Sequence, residues 1–326
     1  MNQRRPDMGD SVAGAARSDL VGVALAAGAG RRLWPLTLER PKVLCPVGGR
    51  PLLGWALDSL VGVVDEVVVN VHHHSAVMLA WLEWACGGRA GGGGPPADFW
   101  RSFASRPPEL PTGPEVTRIG TLPVRGPAAL GPEADLWASI EGPEALGTAG
   151  ALGSLAGFLD GRGVLAVNAD TLTDANLAQV VAAWDGERPL VAYGGPGAFR
   201  PGVDVVASIT PWESIVGLPA TPSGLFGHLW RHAETSGALH SLSVDTRVFD
   251  CGTPQRYLAA NLAVAGGLTS MEGQPIAAPS PVGLTRSVLW SGAEVIEGEV
   301  LDGAIRTTAG RTVLARPVPT VAGHAE

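Results

Sequence analysis

The sequence predicts an α/β fold, doubly wound around a mixed, mostly parallel sheet of Rossmann-like kind, with a short C-terminal left-handed β-helix remnant. Three stretches carry that expectation. Leu20 to Ala26 (LVGVALA) is a short apolar run rich in valine and leucine, as a buried parallel strand would be, and it feeds directly into glycines. Leu52 to Leu60 has helical spacing and Glu66 to Val71 reads as a second buried strand, which gives the strand–helix–strand rhythm of a parallel sheet. Ser287 to Val313 repeats apolar residues at intervals of about six, set apart by glycines and polar turns, as one or two coils of a parallel β-helix would.

The rest of the organisation follows from composition. The 326 residues, 45% hydrophobic and 17% charged, suffice for one large α/β domain with an appendage. Residues 1–19 are polar and small and read as a flexible leader, and residues 20–265 as the main domain. Within it, residues 87–114 hold Gly91 to Gly94 and six prolines with few apolar anchors, the mark of a flexible insertion. Gly266 to Pro281 reads as a linker to a C-terminal unit at 282–316. Coils this few bury their faces only by leaning on the main domain or on a second copy, so a homodimer is one expectation.

A formal charge of −8 and a pI near 5.4 argue against a general nucleic-acid surface, so the cations are local and ligand-directed. No uninterrupted apolar stretch is long enough to cross a bilayer, and no membrane partner is expected. Arg4 and Arg5 ahead of an apolar run superficially resemble a signal peptide, but that run is also the first strand, which cleavage would destroy. Cys45, Cys86 and Cys251 have no C-x-x-C spacing and cannot all pair, which fits a reducing cytoplasm.

The chemistry is concentrated after the first strand. A strand feeding a glycine-rich loop is a phosphate cradle, because successive backbone N–H groups form an anion-binding concavity. Lys42 is the only lysine of the chain; it and Arg32 would add a point charge and a planar fork for phosphate oxygens. A dinucleotide fingerprint requires a helix directly after the glycines, and here Pro35 and Pro41 interrupt any helix. A P-loop requires serine or threonine after its lysine, and Val43 follows Lys42.

The run from Leu25 to Leu53 (LAAGAGRRLWPLTLERPKVLCPVGGRPLL) closely resembles the signature of the sugar-1-phosphate nucleotidyltransferases, or NDP-sugar pyrophosphorylases. By that resemblance Ala26, Ala27, Gly28, Ala29 and Gly30 wrap the nucleotide, Arg32 holds its triphosphate, and Lys42 bridges phosphates at the reaction centre. Further matches come in the family's order. Val164 to Leu172 ends in Asn168-Ala169-Asp170, which resembles the family's strand-end aspartate. Val248 to Tyr257 resembles its D-x-G-T-P motif, so Asp170 and Asp250 are the expected ligands of Mg2+. Glu144 to Leu152 resembles E-x-L-G-T-A-G, which implies that Gly147 and Thr148 meet the nucleotide and Glu144 and Gly147 the sugar phosphate.

A sugar 1-phosphate is already an anionic nucleophile, so no activating triad is needed; cations must offset the repulsion between two anions held in line. The expected partners are a nucleoside triphosphate and a sugar 1-phosphate, with pyrophosphate released. The family usually carries a second lysine that contacts the sugar phosphate, and this chain has none; Arg188 or Arg200 is the expected substitute, with changed geometry. Asn70-Val71-His72-His73-His74 resembles an N-x-H element of guanylyl- and uridylyl-transferring members. With the mannose-1-phosphate guanylyltransferase-like look of the whole, it makes GTP with a mannose-like or heptose-like sugar the first expectation. Three adjacent histidines alternate faces on an extended chain, which makes a shared ion improbable. Trp81 and Trp84, at helical spacing, read as core rather than as a sugar platform. Two other readings stay open: a GT-A glycosyltransferase, since Asn168-Ala169-Asp170 resembles a D-x-D metal site, and a non-catalytic regulatory subunit of the same fold.

Overall fold

The most apolar strand lies in the middle of the sheet, where both faces are covered. The computed structural model describes residues 18–87, 95, 99–100, 115–123, 133–266, 270–271, 274–275 and 283–315; the leader's first 17 residues and most of the 87–114 insertion lie outside them. In chain order come β1 (Leu20–Leu25), β2 (Glu66–Val71), β3 (Glu115–Leu122), β4 (Ala134–Ile140), β5 (Gly163–Asn168), β6 (Thr171–Thr173), β7 (Leu190–Gly194), β8 (Val205–Thr210), β9 (His240–Val244) and β10 (Val248–Asp250). Eight of them form the central sheet in the order β9, β7, β8, β5, β1, β2, β4, β3. Only β8 and β3 run against the rest, so the sheet is mixed and mostly parallel.

Helices cover both faces. On one, α1 (Leu52–Val61) and α2 (Ser75–Cys86) bury Leu53, Leu57, Met78 and Leu82 against Val67, Val69 and Leu136. On the other, Leu152 of α3 (Gly147–Ser154) joins Val21, Val23 and Val164. Trp81 is buried in the first of these cores and Trp84 packs against it, so neither is a sugar platform.

Register decides where function sits. Leu25 at the end of β1 faces Asn70 on one side and Asn168 on the other, so three parallel strands stop level at one edge. The loops leaving that edge converge, as ligand-binding loops do in open α/β sheets. Asp170 lies in the turn after β5, and β6 then pairs antiparallel with β10, setting Asp250 opposite Thr171.

The C-terminal strands are β11 (Gly283–Thr285), β12 (Val288–Leu289), β13 (Val300–Asp302), β14 (Ala304–Arg306) and β15 (Thr312–Leu314). β11 pairs parallel with β13 and β12 with β14, Gly283 facing Val300 and Val288 facing Ile305, an offset of 17 residues both times. That is one stacked coil. The expected periodicity continues to Val313, but β15 folds back antiparallel on β14 through a turn at Thr307–Gly310, so the last apolar residues belong to a hairpin and not to a second coil.

This unit leans on the base of the glycine-rich signature. Leu33, Leu36 and Cys45 pack with Tyr257 and Leu258 of α4 (Pro254–Val264) and with Trp290 and Ile305. Glu39 accepts from Thr307 Oγ1 (2.6 Å) and the Ala309 amide (3.2 Å), while Arg40 donates to Thr308 Oγ1 (3.1 Å). The Arg40 guanidinium also lies over the rings of Trp100 (4.1 Å) and Trp290 (4.7 Å). Buried cation–π contacts of this kind are worth about 2 kcal/mol. The two residues just ahead of Pro41 and Lys42 are therefore fixed from outside the sheet.

Candidate active site

The glycine turn is seated on the lysine. Gly30 has φ +63°, and a Cβ there would lie 2.8 Å from Lys42 Cβ and 2.9 Å from Thr37 Cγ2, so only glycine lets the turn close onto the lysine stem. Gly28, by contrast, faces open space. Lys42 is buried, and its Nζ ion-pairs with Asp170 Oδ2 and stands 3.8 Å from Asp250 Oδ1. The two expected metal ligands thus converge on one ammonium, although 80 residues separate them in sequence. Arg32 arrives from the other side: a Cβ on Gly252 would be 3.0 Å from Arg32 Nη2 and 2.8 Å from Asp250 Oδ1, so the glycine after Cys251 makes room for both groups.

A cavity of about 220 Å³, open to solvent, lies against this cluster, lined by the Ala26–Gly28 turn, Lys42, Asn70, Gly147, Thr148 and Asp170. Gly147 and Thr148 open α3, which is clamped from outside. Gly147 takes φ +68° with Ser223 O only 2.5 Å from where a Cβ would stand, and Thr148 Oγ1 accepts the Leu225 amide (2.9 Å). One turn on, a Cβ at Gly150 would sit 2.3 Å from Thr221 O. Backbone cannot yield as a side chain does, so Gly150→Ala should cost about 1–3 kcal/mol by overpacking. A urea midpoint equal to that of the wild type would show that the 219–223 segment does not hold α3.

A residue outside the sequence expectations ties the cavity's walls together. Glu141, 1% exposed at the end of β4, accepts from Asn70 Nδ2 (2.7 Å) and from the Leu146 amide (2.7 Å), and Asn70 Oδ1 in turn accepts from the Ala26 amide (2.5 Å). One buried carboxylate thereby fixes the glycine turn relative to α3. Burial pushes its carboxyl above the ordinary glutamate value, against the pull of its two donors. His72 Nδ1 lies 2.9 Å from Glu141 O, which commits His72 to structure, and the His73 ring lies tilted against it with centroids 4.7 Å apart.

Other candidates fall elsewhere. Glu144 is exposed on the turn before α3, and Ala145, not Glu144, lines the cavity. Arg188 pairs with Asp185 (2.6 Å) ahead of β7, at the opposite end of the sheet from the site. Arg200 is exposed in the β7–β8 connection, on the site's side of the sheet. Arg256, in the first turn of α4, reaches the centre as Arg32 does, with Nη1 3.0 Å from Asp250 Oδ2. Cys251, though beside Asp250, is fully buried, and burial raises its thiol far above the ordinary value; burial takes Cys45 up to about 12. Neither is a nucleophile near neutral pH.

The donor set suits a small hard cation. Two carboxylates face one point, and among the described residues no group of three or more His, Cys, Asp or Glu side chains could hold a metal. Structural zinc takes about four protein ligands, whereas Mg2+ makes do with one or two carboxylates plus phosphate oxygens and water.

Comparison with known proteins bears on the fold and on the segment that carries the glycine turn. Residues 22–88 match the MobA-like NTP transferase domain. Over 246 residues the chain is 28% identical to the N-acetylmuramate alpha-1-phosphate uridylyltransferase of Caulobacter vibrioides, covering 75% of this chain and 97% of that one. A stretch of 52 residues is 54% identical to the CMP-5'-(3-aminopropyl)phosphonate synthase of Streptomyces rubellomurinus, 16% of this chain and 8% of that protein. The solved UDP-glucose pyrophosphorylase of Acinetobacter baumanii shares the fold, with a TM-score of 0.52, 14% identity and coverage of 76% and 93%. The first strand, the glycine turn and Lys42 thus lie within a segment similar to NTP transferase domains, on a sheet of the same fold as the solved pyrophosphorylase. The long relative and the solved neighbour with this fold are sugar-1-phosphate nucleotidyltransferases, and it is to these that the chain is similar. Among the described residues no helix is long and apolar enough to cross a membrane.

Proposed function

We propose that this enzyme transfers a uridylyl group from UTP to a sugar 1-phosphate, with Mg2+ held by Asp170 and Asp250. The observation that carries the proposal is the ammonium of Lys42 set between those two carboxylates beside the open glycine turn. The Ala26–Gly30 backbone cradles the triphosphate, and Arg32 and Lys42 offset its charge. Gly147 and Thr148 border the nucleotide on the far wall of the cavity. A metal bound between the carboxylates would neutralise charge on both substrates. The residues then have one task, to hold the sugar-phosphate oxygen in line with the α-phosphorus while the bond to the pyrophosphate oxygen breaks and that leaving group departs with its electron pair.

The expectation of GTP finds no support among the relatives, whose names carry uridylyl, CMP and UDP. Its sequence basis is also weakened, because Asn70 and His72 of the N-x-H element are occupied by Ala26, Glu141 and the Glu141 carbonyl. The experiment mixes enzyme and Mg2+ with each of the five common triphosphates and the 1-phosphates of glucose, mannose, N-acetylglucosamine and N-acetylmuramate. Pyrophosphate release should be fastest with UTP. Faster release with GTP would restore the guanine reading, and none with any pair would favour a glycosyltransferase or a non-catalytic subunit.

A further inference from the structure

We propose that Arg256 is the side chain that receives the phosphate of the sugar substrate; the inference rests on the transferase reading above. The chain has a single lysine, and that lysine is engaged with both aspartates. Arg32 approaches from the glycine-turn side, where the triphosphate belongs. A second anion entering the same centre needs a cation on the opposite flank. Arg256 is placed there. Lys42 lies on the Oδ1 side of Asp250, whereas Arg256 Nη1 contacts Oδ2 at 3.0 Å and lies 4.0 Å from Asp204 Oδ1. The guanidinium is held between carboxylates of α4's leading strand and of the β7–β8 connection, with its side chain 52% exposed.

Local structure makes this placement firm. Thr253 caps α4, its Oγ1 accepting from the Arg256 amide at 3.3 Å, so the arginine's backbone is fixed at the helix start, only six residues from Asp250. A guanidinium has five N–H donors in a fork that matches phosphate oxygens, so it serves Asp250 and a phosphate monoester at once. Counting the central groups, Lys42, Arg32 and Arg256 balance Asp170, Asp250 and Asp204; a divalent ion would turn the cluster net positive, as two anionic substrates require. Arg188 is excluded by its place at the other end of the sheet.

The test is steady-state kinetics of Arg256→Gln with UTP and glucose 1-phosphate, or whichever of the four 1-phosphates the wild type turns over fastest. Hydrogen bonds to a charged group are worth about 1.5–3 kcal/mol, so KM for the sugar phosphate should rise about 10- to 100-fold. KM for UTP and the Mg2+ requirement should stay near wild type. Arg256→Lys, which keeps the charge without the fork, should fall between the two, and Arg188→Gln should match the wild type. An unchanged KM for the sugar phosphate would overturn the proposal. So would a raised Mg2+ requirement with that KM unmoved, since Arg256 would then only steady Asp250. Absence of turnover by the wild type with every acceptor would instead overturn the transferase reading, and this inference with it.

Discussion

Asp170→Asn and Asp250→Asn should each lower the rate of pyrophosphate release by about 10³-fold or more at saturating substrates, with the fold unchanged. The replacement keeps the shape of each side chain and removes one full charge from a pair of hard oxygen donors. Metal stabilisation of charge developing on phosphates is worth several kcal/mol, and each 1.36 kcal/mol is a factor of ten in rate. Neither side chain is in the core, at 31% and 27% exposed, so circular dichroism and the urea midpoint should change little. The two variants should also resemble each other, because both carboxylates face the same ammonium. Near-normal turnover by either would remove it from the metal site and would leave the Lys42 cluster as an ordinary structural ion pair.

Glu141→Ala should produce the largest loss of stability of any substitution near the site. It leaves the Leu146 amide and Asn70 Nδ2 buried without an acceptor, each at a cost of about 1–3 kcal/mol, and it frees the tether between the glycine turn and α3. The urea midpoint should fall, and KM for the triphosphate should rise in the variant that remains folded at low denaturant. E141Q keeps one acceptor but turns an amide N–H toward a donor, so it should lie between. The sign of the pH effect follows from burial. A carboxyl whose value is raised in the fold contributes stability that is complete below the ordinary glutamate value and is lost as pH rises through the raised one. The stability advantage of the wild type over E141Q should therefore shrink as pH climbs through that window. A constant difference across it would show that Glu141 does not titrate in the fold.

The readable parts of this molecule are those in which local chemistry and tertiary role coincide. The first apolar run is β1, the helical spacing from Leu52 is α1, and the strand at Glu66–Val71 has the bounds its sequence suggests. The glycine turn, Lys42, Asp170 and Asp250 meet because a long motif fixes each segment's conformation and the strand order does the rest. Glu141 was invisible for a physical reason: its function comes from a buried register between β2, β4 and α3, while the sequence offers only a Ser-Ile-Glu at a strand end. The glutamate that fits the linear motif is Glu144, three residues on, and it faces solvent. An arginine in the first turn of a helix reads as surface; Arg256 meets Asp250 across the short turn into α4, and the pairing of β6 with β10 then carries that pair to Asp170 and Lys42. The periodicity of the C-terminal repeat was real but could not reveal that its final strand reverses, since a coil and a hairpin alternate apolar residues alike.

Glu39 and Arg40 find their partners at Thr307 and Thr308, 268 residues later, and the order of synthesis gives that distance a meaning. Residues far apart along a polypeptide meet late, after the entropy of the intervening chain has been overcome. A nascent chain in which Thr307 and Thr308 have not yet docked lacks the grip that steadies the segment carrying its lysine, however complete its sheet has become. The segment that carries Lys42 is thus among the last parts of this architecture to become rigid.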